Sequence, residues 1–365
     1  MSKERIAIYP FSRECNVFSD YYDMISENYC IVEAASPLVW RITGKVLKTS
    51  EGEITIKKSP SEFEKKADTL LIPDFAIGKT AENGLINEIF KYMPKVKKIM
   101  YYGSLSYEGK QKLIDKAEEL KIEFADFRDY SHEHNVDFDV MIEYCDVPVV
   151  AIAGVWENTN KFQAALAVNQ ALTKKGYKVL QIGSRGYAEL FGAVPFPAFM
   201  LDPCVSEFNK PLMFSSYIKA LAEKNKPDII IVCIPGSMQM MNESFPNGSG
   251  VLQYTVFQAL KPDYVLICSM YEPNPDIYNG LMKNLCMYRY GVELDAINMS
   301  RLCFDANTST ELLELYTISA DDDMMKEALA KADKCEALLT DVTVEGQGEV
   351  IVESIIRKLS EESAI

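Results

Sequence analysis

The segment VPVVAIAG, residues 147–154, constrains this chain more than any other. Eight residues without a charge read as a strand buried on both faces of a parallel sheet, and the next element is KFQAALAVNQALTKKG, a helix stopped by Gly176. A buried strand, a short loop and a helix that starts beside a lysine form the setting in which phosphate-binding loops work, because backbone N–H groups at the helix start face the anion. Here the loop reads Gly154-Val155-Trp156-Glu157-Asn158-Thr159-Asn160-Lys161-Phe162. Its setting matches G-x-x-x-x-G-K-[ST], and its residues do not. Registered on Gly154, the pattern places Thr159 at the second glycine and Asn160 at the lysine. Registered on Lys161, it places Val155 and Asn160 at the glycines and Phe162 where a hydroxyl would ligate Mg²⁺. Either register removes a part that nucleotide hydrolysis uses, and Glu157 adds a negative charge. Two readings stand: a loop that still binds an anionic or polar ligand, or Asn158, Thr159 and Asn160 serving as helix caps.

Other loops fall at the carboxyl ends of neighbouring strands, where open α/β sheets place ligands. KVLQIG leads into Ser184-Arg185-Gly186-Tyr187, with Arg185 facing an anion or a carboxylate. IIIVCI leads into Pro235-Gly236-Ser237-Met238, with Cys233 where phosphate-loop proteins often carry a metal-organising aspartate. YVLICSM leads into Tyr271-Glu272-Pro273-Asn274, where Glu272 is either an acid–base candidate or a cap. The ligand-binding set from sequence is therefore Gly154, Glu157, Asn158, Thr159, Asn160, Lys161, Ser184, Arg185, Gly236 and Ser237. Lys161 and Glu272 are the candidate catalytic residues, and no metal site is assigned.

The chain has 365 residues, enough for two domains, and its 48% hydrophobic and 25% charged content is that of a globular protein. The first half alternates β-branched runs with helical patterns, as βα units do. RIAIYPF, YCIVEAAS, KADTLLIPDF, KKIMYYGS and IEFADFR read as strands; NVFSDYYDMISENY, SEFEKKA, LINEIFKYM and YEGKQKLIDKAEELK read as helices. Residues 42–60 break the rhythm as a β-hairpin about Ser50-Glu51-Gly52. Residues 128–147 are polar and aperiodic, so the boundary falls there. The expected fold is α/β with two domains: a Rossmann-like α/β domain over 1–146 and a P-loop-NTPase-like parallel-sheet domain over 147–365.

The net charge of −15 argues against a nucleic-acid partner, which requires clustered Lys and Arg. No segment has the length and apolarity of a membrane span, and MSKERIAIYPF runs into a strand pattern without a cleavage site. Nine cysteines without a CxxC pair read as reduced, mostly buried thiols, so the expected compartment is the cytoplasm. The two histidines, His132 and His134, form an HxH beside acids, which reads as a linker or, with a third ligand, a metal site.

GVWENTNKFQAALAVNQALTKKGYKVLQIGSRGYAELFG, IPGSM, PDYVLICSMYE and the late Asn298-Met299-Ser300 together resemble a family of clostridial peptide maturation system proteins, over nearly the whole chain. ENTNKF and GYKVLQIGSR carry the most specific part. The resemblance implies an accessory role in a natural-product cassette, with a bacteriocin-like precursor peptide and a radical S-adenosylmethionine enzyme as partners. It supplies no catalytic residues. The architecture is also similar to a group related to D-amino-acid N-acetyltransferases, whose intact GK[ST] loop this chain lacks. The leading expectation is an accessory maturation protein that binds a nucleotide, an acyl-CoA or a peptide carboxylate at Gly154–Lys161. The alternatives are a scaffold presenting the precursor, for which 20 Tyr, 17 Phe and 16 Met give adaptable surface, an N-acyltransferase-like enzyme, or an NTPase with unusual metal coordination.

Overall fold

A computed structural model describes residues 3–74, 79–103, 105–127, 138, 140–243, 247–312 and 316–362. His132 and His134 lie outside the described residues. The chain divides into two compact units, one of Met1–Tyr130 with Arg185–Gly192 and the other of Ser131–Ser184 with Ala193–Ile365.

In the first unit, strands β1 (Glu4–Ile8) and β2 (Tyr29–Ala34) precede the hairpin β3 (Val46–Thr49) and β4 (Gly52–Thr55), followed by β5 (Thr69–Ile72), β6 (Lys98–Tyr101) and β7 (Glu123–Asp126). The five-stranded sheet runs β2-β1-β5-β6-β7, parallel throughout. Counted without the hairpin, this is the order 2-1-3-4-5 of a doubly wound sheet. A one-turn helix α1 (Val17–Asp20) lies between β1 and β2, while α2 (Lys79–Tyr92) and α3 (Tyr107–Leu120) cross between later strands. Leu85, Ile86 and Ile89 of α2 and Leu113 and Ala117 of α3 pack on Val32, Leu70, Ile72 and Ile99. Segment 185–192 supplies this unit with aromatic surface: Tyr187 and Phe191 lie 5.1 and 5.2 Å from the Phe18 ring.

Two expected helices are cut short here, for local reasons. Of residues 16–29 only Val17–Asp20 are α-helical and Tyr29 already belongs to β2, and the Ser19 hydroxyl accepts the Lys48 N–H at 2.8 Å, tying this segment to the hairpin. SEFEKKA forms a single turn, Pro60–Glu62, because the buried Glu33 carboxylate accepts the N–H groups of Glu64 and Lys65 at 2.9 and 2.7 Å. A helix would have turned those donors inward on itself.

The second unit contains β8 (Val149–Gly154), β9 (Val179–Gly183), β10 (Val194–Pro195), β11 (Ile229–Cys233), β12 (Tyr264–Ser269), β13 (Ala296–Met299), the hairpin β14 (Leu302–Phe304) and β15 (Thr317–Ser319), and β16 (Leu338–Thr340). Among the described residues seven of these form one parallel sheet, β10-β9-β11-β8-β12-β13-β16. Helix α4 (Lys161–Lys174) follows β8; next come α5 (Lys210–Asn225), α6 (Val251–Ala259), α7 (Pro275–Leu285), α8 (Ala306–Leu312), α9 (Asp322–Leu329) and α10 (Gln347–Glu362). Burial on both faces explains the uninterrupted apolar run of β8, all six of whose residues are buried. Met213, Phe214 and Ile218 of α5 and Val256 and Phe257 of α6 cover one face of the sheet, meeting Ala151, Ala153, Val265 and Ile267. On the other side α10 lies so close to α4 that a Cβ at Gly348 would meet the Ala167 carbonyl at 3.0 Å.

The unit boundary differs from the expected break at residue 147. Glu143 pairs with Lys219 of α5 at 2.6 Å, and Cys145 and Val147 pack on the core of the second unit, so these residues before β8 belong with it. The hairpin β14–β15 and strand β16 escaped the sequence reading because each strand has only three residues. Among the described residues no helix is long and apolar enough to cross a membrane.

Candidate functional site

Strand β8 lies at the middle of its sheet between β11 and β12, with Ile152 opposite Cys233 and Gly154 opposite Cys268. The chain leaves this strand at Gly154, where a side chain has no room: a Cβ would lie 2.5 Å from Lys161 Cδ, 2.7 Å from the Trp156 carbonyl and 2.8 Å from Thr159 Oγ1. The fully buried Thr159 donates its hydroxyl to the Trp156 carbonyl at 3.1 Å and closes the loop on itself. Asn158 and Asn160 are both left-handed, each at φ 59°, a conformation that asparagine tolerates better than other residues with a Cβ. Asn160 is the N-cap residue, yet its side chain makes no capping hydrogen bond.

A left-handed residue immediately before a helix-initiating lysine is the conformation that the glycine of a GK pair would adopt. The geometry therefore favours the register on Lys161, with Asn160 at the second glycine, Val155 at the first and the buried Phe162 at the hydroxyl position.

Lys161 is 7% exposed, its stem folded over Gly154. Its ammonium donates to the carbonyl of Gly236, in the turn after β11, where Gly236 takes φ 78°. The same carbonyl accepts the side-chain amide of Gln253 from α6 at 3.0 Å, and that amide also reaches the Gly154 carbonyl at 3.4 Å. The Met238 N–H completes the clasp, donating to Gly154 at 2.8 Å. Thus Gly154, Lys161, Gly236 and Gln253 form one connected polar group at the carboxyl end of the sheet. Gln253 has no exposure, and its Oε1 has no hydrogen-bond partner; nor does the hydroxyl of Ser269, 1% exposed, one residue past the strand partner of Gly154.

Of the other sequence candidates, Ser237 is buried in the turn beside Gly236, and Glu157 is exposed on the loop. Ser184 directly follows β9, beside β11, and accepts the Cys233 thiol at 3.2 Å. Glu272 holds a turn: its carboxylate accepts the Asn274 N–H at 3.0 Å just before α7. Arg185 is not brought to the loop. It belongs to the first unit, where its guanidinium pairs with Glu14 and, at 3.1 Å, with Asp74, the carboxylate alternative of its sequence reading. Burial works to lower the Arg185 pKa, and Glu14, Tyr187 and Asp74 more than reverse that, so the guanidinium stays charged.

Burial pushes the Cys268 thiol up, with nearby Cys233 adding to the rise and Lys161 opposing it, so at neutral pH it is a protonated, unreactive group. Asn298 braces this end of the sheet, its side-chain oxygen accepting the Val342 N–H at 2.9 Å. No group of three or more His, Cys, Asp or Glu able to hold a metal occurs among the described residues. Gln253 was missed in sequence. Its one signal is a position in GVLQYTVFQALK, where an amide sits within an otherwise apolar helix.

No family model matches the sequence. No curated protein matches it either. Among solved structures, a DUF1611 family protein from Anabaena variabilis superposes at TM-score 0.57 over 97% of this chain and 100% of its own, at 14% identity. The two share a fold along almost their whole length. Cobyrinic acid a,c-diamide synthase from Mycobacterium smegmatis, a structure with bound ADP and magnesium, reaches TM-score 0.34 over 59% of this chain and 96% of its own, at 15% identity. MinD from Aquifex aeolicus reaches 0.29 over 60% and 98%, at 13% identity.

Proposed function

We propose that the second unit is a P-loop-like domain that binds a phosphorylated or otherwise anionic small molecule at the Gly154–Lys161 loop, and that the first is a separate Rossmann-like domain. The observation that supports this reading is the buried Lys161 ammonium at the start of α4, donating to the Gly236 carbonyl at the carboxyl end of the sheet. A buried ammonium beside a helix start favours an anion there, and the helix end adds its own positive potential. Asn158, Thr159 and Asn160 shape the loop around that point. Cys268, held protonated, and Glu272, engaged in a turn, argue for binding without covalent catalysis.

The biological setting we propose, maturation of a ribosomally made peptide beside a radical S-adenosylmethionine enzyme, rests on the sequence resemblance alone. Thermal melts in ADP, ATP and acetyl-CoA test the ligand reading, because a ligand at 100 times its dissociation constant raises stability by about 2.7 kcal/mol. The expected result is a shift with at least one of them that Lys161→Met abolishes. Capture of the precursor peptide that is indifferent to Lys161→Met would favour the scaffold reading instead.

A further inference from the structure

We propose that the outer face of α7 pairs with the same face of a second copy of this chain, the two helices running antiparallel about a two-fold axis. The inference is independent of the ligand reading above.

Helix α7 continues into one π-helical turn, Cys286–Tyr290, and its inner face is pinned. The Asn279 side chain donates to the Ala337 carbonyl at 3.2 Å and accepts the Ala337 N–H at 3.3 Å, while Met282 and Cys286 lie in the core. At the far end Tyr290 donates to the Met238 carbonyl and Arg289 to that of Ser249. A helix held along its length cannot roll its other face inward. Yet that face is apolar too: Ile277, Leu281 and Tyr288 are 65%, 58% and 85% exposed. Their spacing, four residues and then seven, sets them with Asn284 in one stripe. The π turn buries Cys286 and Tyr290 and leaves Met287 and Tyr288 outside. A surface helix is ordinarily polar on the side away from its core, and a contiguous apolar patch there marks an interaction site.

Two features of the patch select the occupant. Ridge and hollow lie side by side on it, because Leu281 and Tyr288 also border an open groove of about 650 Å³ lined by Tyr278, Met282 and Leu285. A surface that carries both is complementary to itself under a two-fold rotation, as an isologous interface requires. The charges also sit at opposite ends, Asp276 in the first turn and Arg289 in the last. Antiparallel pairing brings the acidic end of each helix to the basic end of the other and opposes the helix dipoles favourably; parallel pairing would set like with like. The stripe from Ile277 to Tyr288 covers only about 17 Å of helix. That is short for the roughly 800 Å² per partner of a stable complex, so the dimer forms and dissociates with concentration.

The test is light scattering by the full chain over a dilution series. We expect the mass of a dimer at about 100 μM and of a monomer after about hundredfold dilution. Leu281→Glu sets like charges against each other near the axis and should leave only monomer at the higher concentration. Tyr288→Glu should do the same, and decides if the first variant does not fold. Asp276→Lys should weaken the dimer about fivefold, since the pair of ends occurs twice. Val39→Glu, at a position 78% exposed in the first unit, should leave the mass unchanged. A monomer throughout, a dimer that survives both helix variants, or one that Val39→Glu dissolves equally overturns the proposal. An Asp276→Lys dimer as tight as the original overturns the antiparallel arrangement. Monomers that instead bind an amphipathic helical peptide, and lose it in Leu281→Glu, assign the face to a peptide and overturn pairing with a second copy.

Discussion

Each unit places a cation, half-buried in the first and buried in the second, at the carboxyl end of a parallel sheet, and the two are held differently. In the first unit Arg185 lies between two carboxylates, Glu14 and Asp74. In the second Lys161 leans on a backbone carbonyl that already has another donor. A guanidinium between two acids has its charge matched. The difference separates a cation set between carboxylates from one set against a backbone carbonyl, although both are mostly buried and both follow strands of the same kind.

The comparison is open to breakage at several points. Gly154→Ala should have the largest effect, about 3 kcal/mol by denaturant unfolding, because its methyl would press on a backbone carbonyl that cannot rotate away. A loss under about 0.5 kcal/mol would show that the loop is looser than the clasp implies. Arg185→Met should cost about 2 kcal/mol by leaving Glu14 and Asp74 facing each other, a figure below that for fully buried pairs because both acids are about a quarter exposed. Lys161→Met should cost less than Arg185→Met, about 1 kcal/mol, since its stem packing survives and Gln253 keeps Gly236 satisfied. Equal costs for the two cation variants would erase the distinction between them.

The smallest effect is confined to alkaline pH. Cys15, beside the Arg185 cluster, is pushed up by burial from its ordinary 9.0 to about 11. The fold therefore favours its neutral form. That contribution is complete below pH 9 and is lost as pH rises through 11, so the fall in stability across this window should be shallower in Cys15→Ala.

Much of this was legible in the chain because short-range chemistry decides it. VPVVAIAG could only be a doubly buried strand, Gly176 does end its helix, and the alternating run about Gly52 is the hairpin expected. Readings failed where a distant group overruled local preference. Glu33, near in space and far in sequence, took the N–H groups that SEFEKKA needed to be helical. Arg185 follows β9 as its position foretold, but its partners come from residues 14 and 74, over a hundred residues away. The loop itself was found from Gly154 and Lys161, whereas its choice of register came from the left-handed backbone at Asn160, which composition alone does not specify. Gln253 became visible only when α6 was seen to aim it at two carbonyls.

The left-handed pair Asn158 and Asn160 has a further consequence for binding. Glycine at such positions leaves a chain free to visit many conformations, while a residue with a Cβ restricts it before any partner arrives. A turn made of asparagines loses its conformational entropy when the chain folds and not when a ligand docks. It behaves as a preorganised receptor: slow to adapt to a differently shaped guest, but able to hold a weakly charged one without first being ordered by it.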